Sequence, residues 1–186
     1  VDSVKRFERG LTDNGYLVLK FFFHISQKEQ KERIDGLLSS KDTAWRVGDG
    51  DLWQNKHYDK CLETFDRYLE DTNTPSAPWY IIDAKNKKFA ELQALETLCT
   101  GIDTALHNES LAVPLLQNVF PLIKMPKLKD VPLDKTISEE EYKLQLRLLQ
   151  EKLGHLHNRL YRKRVPVVIV YEGWDAAGKG GNIKRL

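Results

Sequence analysis

The first part of the chain alternates apolar runs with segments in which apolar residues recur at helical spacing. Residues 16–26, "YLVLKFFFHIS", and residues 79–83, "WYIID", are nearly continuous in apolar and aromatic side chains. Such runs are typical of strands that are buried on both faces of a parallel sheet. Helical patterns precede and follow each run, and this order of elements indicates the closing portion of an α/β sheet.

Local signals mark where these helices begin and end. Residues 2–12 read as the end of a helix that is closed by "DNG", with Gly15 available for a left-handed turn. Ser26 and Glu29 form an S-x-x-E capping box, which opens a helix through about Leu38. Two further helices are predicted over residues 52–71 and 86–107.

Residues 39–53 interrupt the helical patterns. This segment is polar and contains Gly48 and Gly50, which predicts an exposed loop even though it also carries Trp45 and Trp53. A loop of this kind can act as a lid over a binding site.

The composition changes near Asn108. Residues 111–137 are expected to form an extended linker that packs through its apolar residues, because closely spaced prolines disfavour a regular helix. The prolines of this region are Pro114, Pro121, Pro126 and Pro132.

The last part of the chain opens with its clearest helical pattern. Ser138 and Glu141 form a second capping box, after which apolar residues recur at steps of three and four. They are Tyr142, Leu146, Leu149, Leu153, Leu156 and Leu160. The helix leads into "VPVVIVYEG", residues 165–173, whose β-branched side chains predict a buried strand before a glycine-rich turn.

Composition excludes some classes of protein without naming a partner. Over 186 residues the charges nearly cancel to +2, so attraction to a polyanion must come from local clusters. No apolar run reaches the roughly 20 residues that a membrane-spanning helix needs, and no secretory signal pattern is recognisable. Cys61 and Cys99 lack the spacing of a metal site and are expected to be buried thiols. We therefore expect a soluble cytoplasmic protein.

Gly173, Gly178 and Lys179 satisfy the pattern G-x-x-x-x-G-K between a predicted strand and a predicted helix. In a phosphate-binding loop of this kind, glycines let backbone N–H groups turn toward phosphate oxygens while the lysine supplies a mobile positive charge. A tight strand-to-helix turn without a ligand is the alternative interpretation. The five histidines, by contrast, form no convincing catalytic pattern.

The residue after the lysine departs from the usual pattern. Gly180 stands where a Ser or Thr would bind Mg²⁺, so the metal must be held in another way. Asp175 is the only carboxylate near enough in sequence, and Mg²⁺ prefers oxygen ligands. Asp175 could instead cap the following helix, and the two roles are compatible.

The segment "GWDAAGKGGNIKRL" resembles the Walker A segment of the family-2 polyphosphate kinases. The stretches "LVLKFFFHISQKEQKERI", "KDTAWR" and "TNTPSAPWYIIDAKNKKFA" resemble the part of that family that follows its second acidic motif. The resemblance implies an α/β fold of the P-loop kinase type, similar to thymidylate and adenylate kinases. It also implies phosphoryl transfer between inorganic polyphosphate and nucleotides.

The order of these matches is unusual, because the Walker A segment of the family should precede the others. We interpret residues 1–110 as the closing half of a first module, residues 111–137 as a linker and residues 138–186 as the opening of a second. Tandem polyphosphate:AMP phosphotransferases have this arrangement. Together with Val1 and the single methionine, Met125, it leads us to expect a fragment that is inactive alone. Circular permutation would give the same order, but it would require the linker to join the two ends of a single module.

The resemblance also implies roles for individual residues. Phosphate contacts are expected from Lys179 and from small residues around it: Gly173, Ala176, Ala177, Gly178, Gly180 and Gly181. Asp175 would place the metal or the acceptor phosphate. Arg33 and Arg46 lie in the region that serves as a lid in related kinases, where a guanidinium can neutralise the transferring group. For Arg33, a solvated position on its helix is the alternative.

The leading hypothesis is a Mg²⁺-dependent enzyme that transfers a phosphoryl group from polyphosphate to a nucleoside mono- or diphosphate, with conversion of AMP to ADP as the favoured reaction. An NTP-dependent nucleotide kinase and a non-catalytic phosphate-binding module are the alternatives. The expected partners are therefore polyphosphate and a nucleotide, with neither nucleic acid nor a membrane involved. The sequence leaves open whether the chain forms a homo-oligomer.

Overall fold

A three-stranded parallel sheet lies at the centre of the computed structural model, which describes residues 1–107 and 122–186. The strands are β1 (Leu17–His24), β2 (Trp79–Asp83) and β3 (Val167–Gly173), in the order β2-β1-β3. Strand β1 pairs with β3 from Leu17 opposite Val167 to Phe23 opposite Gly173. Because all three strands are parallel, their carboxyl ends meet at one edge of the sheet.

Helices flank the sheet in the pattern that an α/β fold requires. Their bounds are α1 Asp2–Asp13, α2 Gln27–Leu38, α3 Lys41–Ala44, α4 Asp49–Lys56, α5 Tyr58–Thr72, α6 Lys87–His107, α7 Glu139–Lys163 and α8 Lys179–Ile183. Both predicted capping boxes supply their side-chain cap: Ser26 accepts from the Glu29 N–H at 3.3 Å and Ser138 from the Glu141 N–H at 3.2 Å. The predicted α/β, P-loop kinase-like architecture is confirmed.

The prediction of a loop over residues 39–53 is wrong, because the segment contains α3 and most of α4. Short-range caps stabilise these helices: the Ser40 hydroxyl accepts from the Asp42 N–H, and the Asp51 carboxylate accepts from the Gly48 N–H at 2.8 Å. The helix predicted over residues 52–71 is also interrupted, at His57. Both tryptophans of the segment are exposed, as expected.

The core forms between β1 and the helices that cover it. Phe21, Phe22 and Phe23 are buried on consecutive positions, so β1 is covered on both faces. Strand β3 was expected to be buried but is only half-buried, because β1 pairs with one of its edges and no described strand pairs with the other. Similarly, Cys99 is buried as expected, whereas Cys61 is only half-buried.

Residues 122–137 form an irregular segment with one 3₁₀ turn, Leu128–Asp130, and bury the side chains of Met125 and Leu128. Asp66 accepts from the Leu128 N–H at 2.8 Å, and Asp83 accepts from the Lys135 N–H at 3.2 Å. Pro114 and Pro121 lie outside the described residues. The division into modules 1–110 and 138–186 stays a prediction, and in this structure both segments contribute strands to one sheet.

No helix among residues 1–107 and 122–186 combines the length and the apolar character that crossing a bilayer would require.

A buried ion pair joins α1 to the sheet. The Lys20 side chain on β1 is 1% exposed, and its Nζ donates to both carboxylate oxygens of Glu8 at 2.9 Å and to the Thr72 carbonyl at 2.7 Å. Burial lowers the pKa of Lys20 and raises the pKa of Glu8, because each charge is removed from water. The two charges are therefore tolerated only as a pair.

We predict that Lys20→Met lowers the free energy of unfolding by about 3–5 kcal/mol, because it leaves the Glu8 carboxylate buried without its partner. The double variant Lys20→Met/Glu8→Leu should recover most of that loss. Urea denaturation measures both, with Lys31→Met as the control because the Lys31–Asp35 pair is exposed. A double variant as unstable as the single one would contradict the prediction.

The end of β3 allows a second test. Gly173 has φ +139, and a Cβ there would lie 2.3 Å from the Phe23 carbonyl oxygen. Gly180, in α8, has no heavy atom within 4 Å of the corresponding position.

Gly173→Ala should destabilise the fold by about 3 kcal/mol or more, since it combines backbone strain with a backbone clash. Gly180→Ala should be neutral or stabilise by up to about 1 kcal/mol, as expected for alanine in a helix. Thermal and urea unfolding compare the two variants directly. Equal stability would show that β1 and β3 do not approach as closely as described.

Candidate phosphate-binding site

Residues 173–178 connect β3 to α8 at the carboxyl edge of the sheet, where open α/β folds bind ligands. Three positions of this phosphate loop have left-handed backbone: Gly173 (φ +139), Ala176 (φ +63) and Gly178 (φ +94). This strand–loop–helix arrangement is the one that the sequence pattern predicts. The loop backs onto a cleft of about 640 Å³.

Lys179 is the first residue of α8 and folds back over the loop. Its Nζ donates to the Gly173 carbonyl at 2.8 Å and to the Trp174 carbonyl at 2.9 Å. Burial lowers the pKa of this lysine, and the nearby Asp175 carboxylate opposes the shift. An ammonium group has three N–H donors, so one remains for a ligand oxygen.

Asp175 is a residue of the loop and contacts α4. Its N–H donates to Oε1 of Gln54 at 3.2 Å, and its carboxyl group lies beside that of Asp51. Burial raises the pKa of Asp175, the Asp51 carboxyl adds to the shift, and Lys179 opposes it. The N-cap of α8 is Gly178 with no side-chain cap, so Asp175 does not cap this helix.

Arg33 is bound to the loop and to the end of β2. Its Nη1 donates to the Ala176 carbonyl at 3.0 Å, and its Nη2 donates to the Ala84 and Lys85 carbonyls, each at 2.8 Å. Its Nε pairs with Glu29 at 2.6 Å, and the side chain is only 10% exposed. The alternative of a solvated helix arginine is therefore wrong. Arg33 instead supports the left-handed turn at Ala176.

Arg46 is exposed, and its guanidinium lies 5.4 Å from the centre of the Trp45 ring. The residues that line the cleft are Arg33, Gly36, Leu37, Lys87, Asp175, Ala176, Ala177, Gly178, Lys179 and Gly180. Two of the remaining predicted contacts face protein instead: Gly173 faces Phe23, and Gly181 faces Glu91 of α6.

Trp174 anchors the loop in the core. Its indole is fully buried, stacks on Tyr58 with ring centres 4.1 Å apart and meets the edge of Phe65 at 4.9 Å. The indole Nε1–H donates to Nδ1 of His24 at 2.9 Å. Burial lowers the pKa of His24 to about 4, so its ring is neutral near pH 7.

Sequence reasoning missed four residues near this loop: His24, Asp51, Lys87 and Trp174. Asp51 stands outside the quoted stretches and Lys87 lies in one of them without a recognisable role, and only folding brings the two residues near the loop. The available signal for Trp174 was a large aromatic side chain inside a glycine-rich loop. Its partner His24 ends a buried strand, where a polar side chain needs a hydrogen-bond partner.

Comparison with known proteins adds independent information. Residues 1–110 and 136–186 match the family described as Polyphosphate kinase 2 (PPK2). The Polyphosphate:AMP phosphotransferase of Pseudomonas aeruginosa is 33% identical over 193 residues, which cover 100% of this chain and 38% of that protein. The protein of the same name from Pseudomonas syringae pv. tomato is 32% identical over 190 residues, again covering 100% of this chain and 38% of the relative.

A shorter match involves the AMP/ADP-polyphosphate phosphotransferase of Meiothermus ruber, which is 38% identical over 81 residues, or 44% of this chain and 30% of that protein. The chain thus spans well under half the length of these relatives. The family match nevertheless includes the phosphate loop together with β3 before it and α8 after it. The chain therefore belongs to the polyphosphate kinase 2 family.

Proposed function

We propose that this chain forms part of a phosphotransferase that moves a phosphoryl group between inorganic polyphosphate and a nucleotide, with AMP as the acceptor. The observation that carries the proposal is the cleft of about 640 Å³, in which the phosphate loop, Arg33, Lys87 and Lys179 bring three cationic side chains together. A polyanion suits such a cleft. The names of the Pseudomonas relatives support the choice of polyphosphate and AMP.

In the proposed reaction, an oxygen of the nucleotide phosphate attacks the terminal phosphorus of polyphosphate. The bond to the bridging oxygen breaks, and the polyphosphate chain leaves one phosphate shorter. Catalysis of such a transfer depends mainly on positioning and on stabilising negative charge. Lys179 is suited to this task, because two of its donors hold the loop carbonyls and the third is free to bind a phosphate oxygen.

Arg33 contributes to positioning in this proposal. By binding the Ala176 carbonyl from outside the loop, it leaves the neighbouring amides available to face a phosphate group. Its other donors are held by the Ala84 and Lys85 carbonyls, so the guanidinium is kept in one place. Lys87, at the first position of α6, would add a more mobile charge on the cleft wall.

Mg²⁺ is the metal we propose for this site. The residues present fit it: the carboxyl groups of Asp175 and Asp51 lie together, and hard divalent cations prefer such oxygen ligands. The described residues contain no group of three or more metal-binding side chains, so phosphate oxygens and water would complete the shell. When bound, the ion would neutralise charge on the phosphates. A reducing cytoplasm fits the free thiols of Cys61 and Cys99.

Lys179 gives the central test of the function. We predict that Lys179→Ala, in the intact protein, lowers the rate of phosphoryl transfer from polyphosphate about a hundredfold or more, as when one preorganised electrostatic contact is lost. Lys179→Arg should also be poor, because a planar guanidinium does not replace a compact ammonium in a tight loop. Transfer is measured with polyphosphate and with ATP as separate donors.

Thermal unfolding of each Lys179 variant controls for folding. A wild-type protein that used only ATP would exclude the polyphosphate assignment and favour an NTP-dependent nucleotide kinase. A wild type that bound polyphosphate without transferring phosphate would favour a non-catalytic phosphate-binding module.

Asp175 and Asp51 test the metal assignment. Asp175→Asn keeps the size of the side chain but removes its charge, so the Mg²⁺ concentration for half-maximal rate should rise by roughly tenfold or more. Asp51→Asn should act in the same direction, and both variants should bind Mn²⁺ more weakly by electron paramagnetic resonance. Asp49→Asn is the matched control, because Asp49 is an exposed carboxylate of the same helix. Unchanged Mn²⁺ binding in both variants would exclude these ligands.

A further inference from the structure

His24 occupies a buried position at the carboxyl end of β1, directly behind the phosphate loop. The residue is only 3% exposed to solvent. Nδ1 accepts from the indole N–H of Trp174, which can only donate, so this nitrogen carries no proton. The backbone of Leu128 lies beside the ring and opposes the lowering of its pKa by burial.

The backbone carbonyl of Trp174 contacts Lys179, so the position of Trp174 affects the position of this lysine. The Trp174 carbonyl accepts from Nζ of Lys179 at 2.9 Å and from the Ala177 N–H at 3.1 Å. A displacement of the buried indole that shifts the Trp174 backbone therefore moves an atom that binds Lys179.

Aromatic packing alone does not fix the indole in one orientation. Stacking on Tyr58 and the edge contact with Phe65 define the plane of the ring. An sp³–sp² torsion such as χ2 of tryptophan is broad, and a turn of the ring in the same plane would leave the N–H buried without an acceptor. The hydrogen bond to His24 selects the orientation in which the N–H is satisfied.

We propose that His24 is a positioning residue for the phosphate loop: by accepting the Trp174 indole hydrogen bond, it holds the Trp174 carbonyl where it binds Lys179. The proposal rests on the proposed function for its kinetic consequence. The proposed coupling between His24 and phosphate binding, through Trp174, applies to any polyphosphate ligand of this loop.

A double-mutant cycle in the intact protein tests the proposal. His24→Leu removes the acceptor, His24→Asn restores an acceptor oxygen near the Nδ1 position, and Trp174→Phe removes the donor. His24→Leu should lower kcat about ten- to a hundredfold with a smaller change in KM, the scale of a small misplacement of catalytic groups. His24→Asn should recover most of the rate. In the Trp174→Phe variant, adding His24→Leu should lower kcat by less than about a further threefold.

Binding gives a readout that does not need turnover. The dissociation constant for tripolyphosphate should rise in His24→Leu and recover in His24→Asn, and the indole N–H resonance of Trp174 should lose its hydrogen-bonded shift only in His24→Leu. His155→Leu is the matched control, because His155 is exposed on α7. Thermal unfolding identifies any variant that fails to fold, in which case His24→Asn and Trp174→Phe are compared alone.

The proposal would be overturned if His24→Leu lowered kcat equally in the wild type and in the Trp174→Phe variant. It would also be overturned if a folded His24→Asn variant had no higher kcat than His24→Leu. A wild type without polyphosphate transfer would refute the proposed function. The coupling measured from tripolyphosphate binding would still decide the role of His24.

Discussion

The parallel pairing of β1 with β3 is the interaction on which the rest of the structure depends. It brings the carboxyl ends of strands from the two ends of the chain to one edge, with Gly173 directly opposite Phe23. The phosphate loop therefore starts beside His24 and close to the residues that follow β2. Arg33 can reach the carbonyls of Ala84 and Ala176 together only because the strands have this register. A shift along the strands would separate these groups.

The cations of the cleft differ in how tightly they are held, and this difference suits a transfer reaction. Arg33 donates to backbone carbonyls and to Glu29, so its guanidinium has a structural role in holding the loop. Lys179 keeps one donor free while its position is fixed by the loop. Lys87 is exposed on the cleft wall, and its side chain makes no hydrogen bond or ion pair with the described residues. A phosphate chain in the cleft would thus meet three kinds of positive charge. Arg33 is held rigidly, Lys179 is held in place with one N–H donor free, and the Lys87 side chain is free to move.

Elements with strong local signals could be predicted from the sequence, because their cause lies within a few residues. The apolar run of β1, the capping boxes at Ser26 and Ser138 and the glycine pattern of the phosphate loop all have this property. Helices α3 and α4 were missed because glycines and polar residues suggested a loop, whereas the caps at Ser40 and Asp51 stabilise short helices there. The contact between His24 and Trp174 joins residues 150 positions apart, and no local pattern encodes it.

The segment that was expected only to connect two modules also takes part in this edge of the sheet. Leu128 is fully buried and contacts His24 through its backbone, while Lys135 binds the Asp83 carboxylate at the end of β2 through its N–H. Residues 122–137 therefore pack against the carboxyl ends of β1 and β2. The candidate phosphate site lies at the same edge of the sheet. Because His24 lies beside Leu128 and accepts from Trp174, its ring contacts both this segment and the phosphate loop. Packing of the backbone that leads into α7 therefore helps to hold His24 where it accepts from Trp174.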